Sequence, residues 1–186
     1  MKCHARWVAL PLDDSIRIPA SRYRLTVVAA DVADAVGSAG GWLFDRARAG
    51  WDVTVAVAGV GDPRPLQILG VTQAQIETDL AAAVRAVSAG STLAINAQLL
   101  ATDEQLRDQV GVLVNRGAVD VAVWGGDAPA GFGTDDGDRT EHVLSAAARA
   151  FKTVALKALD RGPVEAGPTE SLLRLGGESS RRLYAV

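Results

Sequence analysis

The sequence predicts an α/β domain built on a mainly parallel sheet, and two patterns carry that prediction. Short runs of β-branched residues alternate four times with longer stretches whose apolar residues recur at helical spacing, which is how βαβ units read. The runs are also almost continuously apolar, as in Leu25-Thr26-Val27-Val28-Ala29, and strands covered on both faces need that composition. A three-layer α/β/α arrangement follows, Rossmann-like or RecA-like but without a phosphate loop.

The first strand is expected over Arg24 to Ala30. Asp31 follows at once and is placed to cap a helix by accepting from the free N–H groups of its first turn. That helix runs from about Val32 to Ala49, with Val32, Val36, Leu43 and Ala47 on one stripe, and Gly50 ends it. The second strand is Asp52 to Val57. A turn-rich loop from Gly59 to Pro65 leads to a short third strand over Leu66 to Val71.

Thr72-Gln73-Ala74-Gln75 reads as a capping box, opening a helix that buries Ile76, Leu80, Val84 and Val87 and closes at Gly90. The next strand is Thr92 to Ala97. Thr102-Asp103-Glu104-Gln105 reads as a second capping box, with Leu106, Val110, Leu113 and Val114 buried behind it and Gly117 closing the helix. Asp120 to Trp124 is another strand, and Gly125 to Asp138 a long polar loop. A last helix is expected from about Thr140 to Leu159, burying Val143, Leu144, Ala147, Phe151, Val154 and Ala158. Edge strands are expected at Arg6 to Leu10, in an N-terminal segment 1–22, and at Arg182 to Val186, in a tail 163–186.

The chain has 186 residues, the size of a single domain. Its formal net charge of -3 argues against nucleic acid, whose binders usually carry a basic face. Cys3 is the only cysteine, so neither an internal disulfide nor a zinc-type cysteine spacing is available. The start lacks the apolar core of a signal peptide, and no run approaches the ~20 apolar residues of a spanning helix. A cytoplasmic protein without membrane contact is the expectation. Lys2, Lys152 and Lys157 are the only lysines against a large arginine excess, a codon bias of GC-rich bacterial genomes.

Ligands of open parallel sheets bind outside the carboxyl ends of the strands. The loops leaving the predicted strands there supply Asp31 and Asp34, then Gly59 and Gly61, then Asn96, then Trp124, Gly126 and Asp127. These are the candidate ligand-binding residues. No string of Gly, four residues, Gly, Lys and Ser or Thr exists, and no three spaced glycines follow the first strand, where an acidic cap would repel phosphate. Gly37, Gly40 and Gly41 fall inside the helix, as close-packing residues. Trp42 and Trp51, at the end of the first helix, are expected to cover the edge of the core. His4 and His142 are the only histidines, so no metal site is expected from a histidine cluster. His142, Arg149 and Lys152 read as solvated helix residues. Cofactor and catalytic residues are left unknown by the sequence.

Three functions compete. The first is a small polar or nucleotide-like ligand bound at the strand carboxyl ends. The alternative is a non-catalytic protein-interaction or regulatory module, a homo-oligomer or one with a protein partner, joined through apolar edges at Trp7 to Leu10 and Leu183 to Val186. The third is an enzyme of unusual type, using Asp31, Asp34, Asp127 and His142 as acid–base groups or as oxygen ligands for magnesium.

The run from Ser38 to Arg46, continuing through Ala49-Gly50-Trp51-Asp52-Val53-Thr54-Val55, resembles a family of uncharacterised actinobacterial proteins with a Rossmann-like domain. Arg64-Pro65-Leu66-Gln67-Ile68-Leu69-Gly70 and Leu144 to Lys152 share the resemblance, which covers about Tyr23 to Thr169. It implies lineage and carries no activity.

Overall fold

A computed structural model describes residues 23–59, 61–74, 79–132, 139–160 and 165–176. Along the chain lie β1 (Arg24–Ala29), α1 (Val32–Arg48), β2 (Asp52–Val57), α2 (Arg64–Ile68), β3 (Thr72–Ala74), α3 (Leu80–Arg85) and β4 (Thr92–Asn96). There follow α4 (Ala97–Thr102), α5 (Glu104–Arg116), β5 (Asp120–Trp124), β6 (Arg139–Val143), α6 (Ala146–Lys157) and β7 (Thr169–Leu175). The seven strands form one sheet in the order β3-β2-β1-β4-β5-β7-β6. β3 through β5 are parallel, whereas β7 runs antiparallel to both β5 and β6.

Alternation along the strands divides the core in two. Leu25, Val27 and Ala29 join Val53, Val55 and Val57 under α1, α2 and α6. On the other face Val28, Leu93, Ile95, Val121 and Val123 pack against α3, α4 and α5. All five residues of β4 are buried, which explains its unbroken apolar reading. Trp42 is buried and Trp51 packs against the same cluster at the end of α1, so both cover the core edge as expected.

The four strands read from apolar runs fall within one residue of their expected bounds. Elsewhere the structure corrects the sequence. Leu66 to Val71 is not a strand: Pro65, fixed at a helical φ, starts the short α2, as proline favours the first helical turn. Thr72 to Ala74 is not a capping box. It is β3, with Thr72 opposite Thr54, and the helix after it is capped by Asp79, which accepts from the Ala82 N–H. Ile76 lies outside the described residues. Ala97 opens α4, which the sequence did not reveal, because Asn96 caps it directly at the end of β4. Asp103, not Thr102, caps α5 by accepting from the Leu106 N–H.

The largest correction concerns the last helix. Arg139 to Val143 is an edge strand with no buried residue, so its pattern lacked alternation. α6 is rotated away from its apolar stripe: Phe151 is 46% and Val154 52% exposed, and Val143 on β6 is 72% exposed. The buried face is Ala148, Lys152, Ala155 and Leu156. Small residues are needed there because α6 lies close against α1 at Gly40 and Gly41. A Cβ on Gly40 would sit 3.2 Å from Leu69 Cδ1, and one on Gly41 would overlap the Leu144 side chain. The tail does contain a strand, but it is β7, inserted between β5 and β6. Arg6 to Leu10 and Arg182 to Val186 lie outside the described residues.

Lys152 is therefore no solvated residue. Its Nζ donates to Glu170 Oε1 (2.6 Å) and to the Gly37 carbonyl (2.7 Å). Glu170, on β7, accepts from the Gly41 N–H (2.9 Å) and the Trp42 N–H (2.7 Å). An ion pair is thus spliced into the middle of the α1 backbone ladder, with the two side chains 7% and 3% exposed. Removing one partner of such a pair strands the other in a low dielectric. Lys152→Met is expected to lower unfolding free energy by about 3–5 kcal/mol in urea titrations; a loss below about 1 kcal/mol would show the pair to be dispensable.

Candidate functional site

The carboxyl ends of β1, β4 and β5 meet at Asp34. Asp31 leaves β1 in an extended conformation (φ -155°, ψ 177°) and its Oδ1 accepts from the Asp34 N–H at 2.7 Å, capping α1. The Asp34 side chain then folds back, its Oδ2 accepting from the Ala30 N–H at 3.1 Å. Asp34 Oδ1 accepts from Asn96 Nδ2 (2.8 Å), Trp124 Nε1 (3.2 Å) and Ser38 Oγ (3.4 Å). One carboxylate thus joins three strand ends and the first turn of α1, where the helix dipole favours its charge.

Asn96 works in two directions. Its Oδ1 accepts from the N–H groups of Gln98 (2.6 Å) and Leu99 (3.3 Å), capping α4, while its Nδ2 reaches Asp34. Trp124 is buried, leaving only its indole N–H to find a partner. Gly125 (φ +79°) turns the chain at that point, and a Cβ there would stand 3.2 Å from Asn96 Nδ2, so the position suits glycine on two counts.

The residues expected at the rim are therefore partly gathered. Asp31, Asp34, Asn96 and Trp124 form one hydrogen-bonded group, and Gly126 lies beside it against Ala97. Gly61 leans on Val32, the first residue of α1, while Gly59 meets nothing within 4 Å of a would-be Cβ. Asp127 departs from the group: it is exposed and ion-paired with Arg139 of β6. Among the described residues, no three His, Cys, Asp or Glu side chains are grouped to hold a metal ion, and no helix is long and apolar enough to cross a membrane.

His142 belongs elsewhere. From β6 its Nε2 lies 3.0 Å from Asp45 Oδ2 on α1, and Ser145, the cap of α6, donates to Asp45 from Oγ (2.6 Å) and from its N–H (3.2 Å). Asp45, Ser145, Lys152 and Glu170 escaped the sequence reading because each partner is distant in the chain. Only the capping serine left a local trace, and the Thr140 helix start obscured it.

No protein-family model matches this sequence, and no curated protein does either. Solved structures do. A triple mutant of a deacetylase of the teicoplanin biosynthetic pathway matches with a TM-score of 0.61 at 14% identity, over 84% of this chain and 99% of that one. The zinc-inhibited form of teicoplanin deacetylase Orf2 gives 0.58 at 13% identity over the same shares. Dbv21, a deacetylase of the antimicrobial A40926 pseudoaglycone, gives 0.56 at 16% identity, over 84% of this chain and all of that one. At such identity the likeness establishes the fold. These solved structures are of deacetylases, and on that finding the expectation of a nucleotide-like ligand, with its non-catalytic alternative, is corrected.

Burial pushes the Asp45 carboxyl upward, but hydrogen bonds from Ser145 and His142 outweigh it and hold the group below its ordinary value of 3.8. A carboxyl lowered in the folded state stabilises above its unfolded value and loses that contribution as pH falls through the lowered one. Stability lent by Asp45 is expected to be fully present near neutrality and to fade below pH 3.8. Comparing the acid limb of wild type with that of Asp45→Asn checks this; superimposable limbs would refute it.

Proposed function

We propose that this protein is a hydrolase of the deacetylase class, cleaving the N-acyl amide of a small molecule at the rim formed by the ends of β1, β4 and β5. The observation that carries the reading is the structural match to deacetylases over essentially their whole length, combined with an exposed carboxylate, Asp31, where β1 ends.

In this reading Asp31 is the proton carrier. Its Oδ1 is tied to the Asp34 N–H, which orients the carboxylate of this exposed residue. Oδ2 takes a proton from water as the oxygen adds to the acyl carbon. The same proton passes to the amide nitrogen as the C–N bond breaks, giving a carboxylate and an amine. Asp34 does not react, because its oxygens are engaged by Ala30, Asn96, Trp124 and Ser38; it keeps the rim rigid. Gly126 would bring a backbone N–H toward the developing oxyanion, and the loop at Gly59 and Gly61 would border the substrate.

The order β3-β2-β1-β4-β5, with helices on both faces, supports describing the architecture as three-layered and Rossmann-like. The arginine excess over lysine supports an actinobacterial lineage.

The full chain should release primary amine from N-acetylated amino sugars or N-acyl aminoglycosides, read by an amine-reactive fluorophore. Asp31→Asn is expected to reduce kcat at least about 100-fold with an unchanged Tm. No amine released by wild type from any substrate of that panel, or equal rates for the variant, would overturn the proposal.

A further inference from the structure

A second site lies far from this rim, on the opposite face of the sheet and toward the amino ends of its strands. α3 spans only Leu80–Arg85 and, among the described residues, leaves the starts of β1 and β2 uncovered. The result is a groove of about 480 Å³ between the sheet and α3, within the range of small-molecule sites.

The floor of the groove is unusual for central strands. Thr26 of β1 pairs in register with Thr54 of β2, which pairs with Thr72 of β3. Parallel register puts the three side chains on one face in a row, about 4.8 Å apart from strand to strand. Of this row Thr26 and Thr54 line the groove, and Ala56 and Ala74 of the next row give its floor an apolar half beside the hydroxyl half. Ala83 and Ala86 supply a shallow wall.

Charges stand at the mouth. Arg24 and Asp52 are register partners that line the groove, yet they make no ion pair with each other. Among the described residues, neither the Thr26 nor the Thr54 hydroxyl has a hydrogen-bond partner. Both threonines are half-buried, so a ligand there would take the place of water at their hydroxyls. The groove therefore sets two uncommitted threonine hydroxyls and two opposite charges beside a patch of methyl groups, while the Ser91 hydroxyl, also in its lining, donates to the Ser88 carbonyl.

We infer that this groove binds an uncharged polyhydroxylated ligand, a sugar or cyclic polyol. Threonine hydroxyls repeating at the strand spacing match alternate ring hydroxyls. Asp52 can accept from a vicinal pair while Arg24 donates to the same pair, and Ala56 and Ala74 can meet the C–H face of the ring. Arg24 and Asp52 together leave the mouth without net charge, so neither a simple anion nor a simple cation gains there, and a purely apolar ligand would strand the threonine hydroxyls. The inference is independent of the proposed hydrolysis, since it uses none of the rim residues.

Amide NMR of the full chain titrated with glucose, N-acetylglucosamine and myo-inositol tests it. Millimolar binding by at least one of them is expected, with shifts confined to residues 24–28, 52–56 and 82–88. Thr26→Val and Thr54→Val keep the side-chain shape and should each weaken binding about fivefold, the worth of one hydrogen bond. Asp52→Asn should weaken it further. No shifts, shifts centred elsewhere, unchanged affinity in both valine variants, or equal binding of cyclohexanol would each overturn the site.

Discussion

Two opposite charges buried beside the middle of α1 hold together segments from distant parts of the chain. Lys152 comes from α6, Glu170 from β7, and the backbone groups they satisfy belong to Gly37, Gly41 and Trp42. Much of the geometry on that face follows from this pair. Backbone groups of a helix are reached from outside only where side chains leave room, and Gly40 and Gly41 stand where a Cβ would meet Leu69, Lys152 or Leu144. Close approach in turn requires alanines on the facing surface of α6. The apolar stripe of α6 is therefore turned outward, where Phe151 finds a partner in Phe44 by stacking at 4.7 Å.

A second carboxylate organises the other end of the sheet. Asp34 is to the strand carboxyl ends what Glu170 is to the helix layer: a single anion surrounded by donors from segments that would otherwise be free to move independently. Its neighbour Asp31 differs: it is exposed, and its Oδ1 accepts from the Asp34 N–H. Two carboxylates three residues apart, within a single helical turn, thus have different surroundings, one ringed by donors and one at the surface.

The sequence disclosed the parts of this fold whose physics is local. Strands buried on both faces had to be continuously apolar, so β1, β2, β4 and β5 stood out, and Asp31 was legible as a cap because its partner is three residues away. The rule that ligands meet strand carboxyl ends brought together Asp31, Asp34, Asn96 and Trp124. What stayed hidden depends on distant partners. β6 carries Arg-Thr-Glu-His-Val because an exposed edge needs no apolar face. β7 was masked by Glu170, Ser171 and Arg174, which break its alternation. Lys152 looked like a surface residue since nothing nearby in the chain announces Glu170. Asp127 stands apart from the rim group, ion-paired with Arg139 of β6, a partner twelve residues away that its own loop does not announce.

The placement of β7 has a bearing on how the molecule is assembled as it is made. The strand is the last described element to leave the ribosome, yet it lies between β5 and β6 rather than at an edge. Until it arrives, the first five strands of the order can pair through short-range crossovers, but β6 has no neighbour to hold it. The N–H groups of Gly41 and Trp42 wait 129 and 128 residues for their acceptor. Contacts of such separation form slowly, so the nascent protein passes through a stage with an open sheet edge at β5, and that edge is the surface a chaperone would have to shield.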